Sequence, residues 1–131
     1  MNSPARVAIL LTWLSFTFIL PVQAFDVRGV WEVAEEEKTY QATVDQAGNG
    51  TYTWQNGIIF NGKIEGSQWS ASWKQSGNDR EGGFLVELSA DGVSAKGRWW
   101  YSRVGPQIIP DPDFGGVFSW RKLPAGDLNN T

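Results

Sequence analysis

The residues of this chain that could do chemistry are carboxylates, arginines and aromatic side chains, because it contains neither cysteine nor histidine. That absence excludes thiolate nucleophiles, Ser-His-Asp catalysis and the commonest metal ligands. The acidic pair Glu81 and Glu87 could serve glycoside hydrolysis, although a cross-strand salt bridge from Glu87 to Arg98 is the simpler interpretation. We therefore predict no catalytic residue, no metal and no cofactor, with carboxylate catalysis kept as an alternative.

Tryptophan is abundant, and seven of the eight tryptophans fall after residue 24. Trp69, Trp73, Trp99 and Tyr101 fall on the apolar side of period-two patterns, which predicts that they share an inner face of a β-structure. On that face they either line a ligand pocket or fill the interior of a small barrel. Arginines at the barrel mouth could receive a carboxylate or phosphate. The candidates near the acidic pair are Arg80, Arg98 and Arg103, of which Arg103 is the predicted ligand-binding residue.

Three further tryptophans are predicted by alternation to face outward. Trp54, Trp100 and Trp120 could there stack on sugar rings or mark a protein contact. A slip of one residue in the strand register would reverse these assignments.

The first residues have the order of a secretory signal peptide. Arg6 precedes an uncharged stretch from Val7 to Leu20, and a small-residue site ends at Ala24. The stretch is shorter than the roughly 20 residues that cross a bilayer. We predict cleavage after Ala24, a β-domain over 25–123, a flexible tail over 124–131, and a periplasmic or secreted protein with no membrane span after cleavage.

The charge balance bears on the partner. Loss of Arg6 with the signal leaves ten basic against 14 acidic residues, a net charge near −4. A nucleic-acid partner is therefore disfavoured, because phosphate backbones attract basic surfaces. The expected partner is a small molecule or a component of the cell envelope.

The rest of the chain reads as short strands that alternate in hydropathy and are separated by Gly, Asn, Asp or Ser. Hairpin connections between sequential strands predict an all-β, eight-stranded antiparallel up-and-down barrel, with a two-sheet β-sandwich as the alternative. The glycines and prolines of 102–116 predict a long interruption that could act as a partial lid. The predicted strands cover 28–33, 40–45, 50–54, 58–65, 68–74, 83–89, 94–101 and 117–122.

The motif Gly29-Val30-Trp31 and the late Arg121 resemble the signature of the calycins, the group that contains lipocalins and avidins. The resemblance implies that Gly29, Trp31 and Arg121 close one end of the barrel, with the guanidinium stacked on the indole.

Two further segments are similar to avidins. They are Gly50-Thr51-Tyr52 and the strand from Trp69 to Lys74, with its Trp-x-x-x-Trp-Lys pattern. By this resemblance Tyr52 would bond a ligand oxygen, Trp73 would line the ligand slot and Trp99 could occupy another lining position. Trp54 stands where avidins have a hydroxyl residue, and a late-strand aspartate is not found, so the resemblance bears on fold more than on ligand.

From these observations we expect an exported β-barrel that binds a small, largely apolar or ring-containing ligand. The predicted ligand-binding residues are Tyr52, Trp69, Trp73, Trp99, Tyr101 and Arg103. The alternative is a non-catalytic interaction module that uses exposed aromatic side chains to contact protein or glycan in the cell envelope.

Overall fold

A computed structural model of the protein describes residues 25–111 and 114–125. The predicted signal peptide and its cleavage site lie outside the described residues, as does the tail beyond Ala125. Within the described ranges, the structure contains no helix with the length and hydrophobicity needed to cross a membrane.

Nine β-strands make up almost all of the regular structure in the described residues. These segments form strands because β-branched and aromatic residues alternate with polar ones along each of them. The strands are β1 (Gly29–Ala34), β2 (Thr39–Val44), β3 (Gly50–Tyr52), β4 (Gly57–Glu65), β5 (Gln68–Gln75), β6 (Arg80–Leu88), β7 (Ser94–Val104), β8 (Gln107–Ile108) and β9 (Gly115–Lys122).

Eight of these strands form a closed antiparallel barrel. Each strand from β1 to β5 pairs with the next one along the chain, β6 pairs with β7, and β7 pairs with β9. The ladder between β1 and β9 then closes the ring, so that Trp31 lies opposite Lys122. The predicted up-and-down barrel is confirmed, and the sandwich alternative is wrong.

The predicted interruption at 102–116 is shorter than expected. β7 continues to Val104, the two-residue strand β8 folds back on it, and β9 already begins at Gly115. Gly105 and Pro106 form the turn between β7 and β8, and Gly105 has a φ of +57°. The proline is tolerated because it lies in a turn, where no ladder hydrogen bond is required from it.

The core is built from the inward residues of these strands, as the alternation predicts. Trp69, Ala71 and Trp73 of β5 are buried, and so are Phe84, Val86 and Leu88 of β6. These side chains lie on the inner face of the barrel, and folding removes most of their apolar surface from water.

Trp120 corrects one predicted orientation. It is only 4% exposed and its ring centroid lies 4.9 Å from that of Trp69 and 5.4 Å from that of Phe84. Phe118 is buried beside it, whereas Val117 is 76% exposed. The even-numbered residues of β9 therefore point inward, and the prediction that Trp120 faces outward was wrong by one step of the alternation.

One end of the barrel is closed by indoles whose N–H groups bond to backbone. Trp31 Nε1 donates to the Val27 carbonyl at 2.8 Å, and Trp69 Nε1 donates to the Gly48 carbonyl at 3.2 Å. Both side chains are fully buried. Satisfied N–H groups allow these large rings to be buried at little polar cost.

The cation over the closed end is Lys122 rather than Arg121, which corrects the expected stacking. Lys122 Nζ lies 5.8 Å from the Trp31 ring centroid and donates to the Asp26 carbonyl at 3.0 Å. The Arg121 side chain is 59% exposed and lies 3.4 Å from Glu32. Because Trp31 and Lys122 are register partners, Lys122 shares the inner side of the sheet and Arg121 points outward.

Replacing Lys122 with methionine should therefore lower the free energy of unfolding by about 1 kcal/mol, through loss of the carbonyl bond and the cation–π contact. The matched variant Arg121→Met should change it by less than about 0.5 kcal/mol, because exposed ion pairs contribute little. Urea unfolding of 25–131, followed by tryptophan fluorescence, measures both. A larger loss for Arg121→Met would restore the original assignment.

Candidate functional site

A cavity lies at the opposite end of the barrel, where the connections β1–β2, β3–β4 and β5–β6 meet. Its volume is about 90 Å³, and it is open to solvent on one side. Residues from these three connections and from the inner faces of the strands line it. They are Glu35, Lys38, Tyr40, Tyr52, Trp54, Ile59, Trp73, Gln75, Asn78, Arg80, Phe84, Trp99, Tyr101, Phe118 and Trp120.

Three aromatic rings form one wall of the cavity. The centroids of Trp73 and Trp99 are 6.3 Å apart, those of Trp73 and Tyr101 5.7 Å, and those of Trp99 and Tyr101 5.1 Å, all edge to face. Trp99 and Tyr101 share a face because they are two residues apart on β7. Gly82 makes room for this wall, since a Cβ there would lie 2.5 Å from the Trp73 ring.

Two tyrosines and their partners form the wall opposite. Tyr40 donates its hydroxyl to Glu35 Oε2 at 2.7 Å, and the Tyr40 and Tyr52 centroids are 5.6 Å apart. Gln75 Nε2 donates to the Tyr52 hydroxyl at 2.8 Å. Burial raises the pKa of both phenols, and the charge of Glu35 adds to the effect. Both tyrosines are therefore neutral at physiological pH, and the Tyr52 hydroxyl hydrogen is available to a ligand.

Trp54 lies at the cavity mouth, which corrects its predicted outward position. Lys38 Nζ lies 4.3 Å from the Trp54 ring centroid and 3.5 Å from Glu35 Oε1. β3 ends at Tyr52, and a single 3-10 turn follows in which Gln55 and Asn56 have φ values of +53° and +54°. Strand alternation does not extend into such a turn, so it could not give the direction of Trp54.

Arg80 is the arginine of the cavity, in place of the predicted Arg103. Its Nη1 donates to the Tyr101 hydroxyl at 3.0 Å, and its Cζ lies 5.4 Å from the Tyr101 ring centroid. β6 begins at Arg80, next to the β5–β6 connection that borders the mouth.

Arg103 instead lies on the outer side of the barrel, next to the cavity mouth. It forms ion pairs with Asp79 at 2.8 Å and Glu81 at 2.7 Å, and it donates to the Gly105 carbonyl. The hydrogen bonds that Arg103 donates to these carboxylates, the one to Asp79 foremost, raise the pKa of Arg103. A bulge at Ser102 shifts the phase of β7, so that Arg103 faces Glu81 on the outer side.

Four buried side-chain polar atoms have no hydrogen-bond partner among the described residues, and all four belong to residues lining this cavity. They are Asn78 Oδ1, Arg80 Nε, Trp99 Nε1 and Trp120 Nε1. By contrast, the closed-end indoles of Trp31 and Trp69 donate to backbone carbonyls, and so does Trp73 in the cavity wall. Buried polar groups without partners are rare in native proteins and cost free energy, so their clustering makes this cavity the candidate functional site.

Of the six predicted ligand-binding residues, the structure brings four to the cavity: Tyr52, Trp73, Trp99 and Tyr101. Trp69 lies in the closed-end core and Arg103 on the outer rim. That the four bind a ligand stays a prediction. Alternation already placed Phe84 on the inner face, and the same signal could have found Phe118. Arg80 was one of the three candidate arginines, whereas no pattern in the sequence distinguished Tyr40, Gln75 or Asn78.

The predicted lid segment lies beside the cavity mouth. The Phe114 carbonyl accepts a hydrogen bond from the Tyr101 amide at 2.9 Å, and the two rings are 5.5 Å apart. Phe114 is 57% exposed and Ile108 67% exposed. The segment thus carries apolar side chains next to the opening, and closure over a ligand stays a prediction.

The carboxylates considered for glycoside hydrolysis do not form a pair. Glu81 and Glu87 lie six residues apart along β6, which separates them by about 20 Å, whereas the two carboxyl groups of a glycosidase lie within about 10 Å. Glu87 accepts a hydrogen bond from Ser67 and lies opposite Lys96, not opposite Arg98. Across residues 25–111 and 114–125, no group of three or more acidic side chains could hold a metal ion.

The chain matches no protein-family model, no curated protein and no solved structure. The function must therefore be argued from the cavity itself.

Proposed function

We propose that the protein is an exported barrel that binds one small, largely apolar, ring-containing molecule in the open-end cavity. The observation that carries this proposal is that one cavity combines aromatic walls with the four buried polar atoms that have no partner in the described part of the chain. Small-molecule binding sites are commonly lined by apolar and aromatic side chains, with a few polar groups that orient the ligand. The sequence of residues 1–24 supports export.

The size of the cavity bears on the size of the ligand. A dry cavity of about 150 Å³ admits a benzene ring, and this one measures about 90 Å³ with an open mouth. It therefore suits a single ring whose substituent projects towards solvent.

A calycin-type relationship of the lipocalin or avidin kind forms part of the proposal. Its support is a barrel with one sealed and one open end, with Trp31 at the sealed end and both Tyr52 and Trp73 at the open one.

The alternative, an interaction module with outward aromatics, has less support. Trp54 and Trp120 line the cavity, which leaves Trp100 of the three expected platform residues. Arg98 lies 5.0 Å from the Trp100 ring centroid on the outer face of the barrel.

Native mass spectrometry of the protein purified from its own envelope, followed by thermal unfolding with single-ring compounds, tests the proposal. We expect a bound small molecule and a raised Tm, since a ligand at 100 times its Kd adds about 2.7 kcal/mol of stability. Neighbouring residues on opposite faces supply the control: Trp99→Ala should lose the stabilisation and Trp100→Ala should keep it. No stabilisation by any ring compound, or loss in Trp100→Ala alone, contradicts the proposal.

A further inference from the structure

Arg80 is a cation at the cavity mouth that has no ionic partner within residues 25–111 and 114–125. Among the described residues no carboxylate forms an ion pair with it, whereas the other cation of the cavity, Lys38, pairs with Glu35. The acidic neighbours of Arg80 in sequence, Asp79 and Glu81, both pair with Arg103 on the outer rim. A half-buried guanidinium held away from carboxylates is available to an anion from outside the protein.

The geometry of Arg80 leaves one edge of its guanidinium unused. Nη1 donates to the Tyr101 hydroxyl at 3.0 Å, and Nε is buried with no partner in the described structure. Nε and Nη2 form the edge that binds a carboxylate through two parallel hydrogen bonds. The bond to Tyr101 anchors the side chain, so less side-chain entropy is lost when an anion binds.

The charges of the lining favour a single negative charge on the ligand. Glu35, Lys38 and Arg80 are the ionisable acids and bases among the lining residues, and together they carry a net charge of +1. A carboxylate balances that charge, whereas a phosphate monoester, with about −1.5 to −2, exceeds it and meets Glu35 across the mouth.

The neutral polar groups point to an oxygen-bearing ligand as well. Trp99 Nε1 and Trp120 Nε1 are donors without acceptors, and the Tyr52 and Tyr101 hydroxyls each receive a hydrogen bond and keep a hydrogen to donate. Asn78 Oδ1 is the one unpartnered acceptor among these atoms. Among these atoms, donors therefore exceed acceptors.

We propose that the ligand is a compact ring compound with one carboxylate, and that Arg80 binds this carboxylate through its Nε and Nη2 edge while the ring packs against Trp73 and Trp99. This inference rests on the proposed function and specifies the chemical class of its ligand.

Matched acids and amides of equal shape test it on the full mature protein. Benzoate with benzamide, and phenylacetate with phenylacetamide, are titrated while tryptophan fluorescence is recorded. We expect each acid to bind about 10-fold to 100-fold more tightly than its amide, because the charge-assisted bonds to Arg80 are absent with the amide. Amides that bind as tightly as acids, or phenyl phosphate that binds more tightly than benzoate, would overturn the carboxylate assignment.

Variants then locate the effect. Arg80→Gln should abolish the preference for the acid. Arg80→Lys should retain part of it, because lysine keeps the positive charge but lacks the two parallel N–H donors of the guanidinium. Arg28→Gln is the control, since Arg28 pairs with Asp26 at the closed end and is 64% exposed. A preference that survives in both Arg80 variants overturns the inference.

The two proposals fail differently. If amides bind in the cavity and acids have no advantage, this inference is wrong and the proposed function stands. If neither acids, amides nor phenyl phosphate bind the wild-type protein, both fail together.

Discussion

Replacement of Trp69 with alanine is expected to lower the free energy of unfolding by about 3–5 kcal/mol, a large share of the stability of a domain of this size. Trp69 is fully buried, and its ring centroid lies 5.8 Å from that of Trp31, 5.3 Å from Phe84 and 4.9 Å from Trp120. The substitution removes these contacts and leaves the Gly48 carbonyl without its indole donor.

Urea unfolding at neutral pH measures this loss, with Val117→Ala as the control. Val117 is 76% exposed on the outer face, and its truncation should change stability by less than about 0.5 kcal/mol. A loss below about 1 kcal/mol in Trp69→Ala would show that Trp69 is not the centre of the closed-end core.

Replacement of Trp73 with alanine is expected to weaken the binding of a ring compound by about 10-fold to 100-fold. The Trp73 ring packs against both Trp99 and Tyr101 in the cavity wall, and the bond from its Nε1 to the Gly83 carbonyl at 3.1 Å holds it in place. Its loss removes a stacking surface for the ligand and loosens the two neighbouring rings.

The decisive comparison is between these two tryptophans, which lie on the same face of the same strand. Trp73→Ala should lose affinity, and Trp69→Ala, measured at a temperature where it stays folded, should keep the wild-type Kd for benzoate. The opposite pattern, or equal losses of affinity, would mean that the ligand binds elsewhere than in the open-end cavity.

Two of the residues that sequence reasoning misplaced, Arg103 and Trp54, share a physical cause. Arg103 and Trp54 both follow a break in regular pairing, a bulge at Ser102 and a turn with positive φ values at Gln55 and Asn56. Alternation predicts which face of the sheet a side chain points to only while the strand pairing is regular. Each bulge or turn changes the phase of the alternation for the residues that follow it. Trp120 was misplaced for a simpler reason, since β9 has apolar residues at both Val117 and Phe118 and its phase was ambiguous.

By itself the sequence determined an all-β fold with an apolar inner face, because period-two patterns and glycine-rich turns act locally. It favoured the barrel but left the two-sheet sandwich open. It also placed Trp69 and Trp73 on that face. Only the tertiary structure decided their different roles, since four residues along a strand span about 13 Å and so reach from the closed-end core to the open-end cavity.

The tertiary structure likewise decided which cation lies over Trp31 and which arginine lines the cavity. The choice of Lys122 over Arg121 at Trp31 depends on the register between β1 and β9, and the choice of Arg80 over Arg103 depends on the bulge between β6 and β7. Register and bulges arise from pairings between segments far apart in the chain, so no local pattern could have specified them.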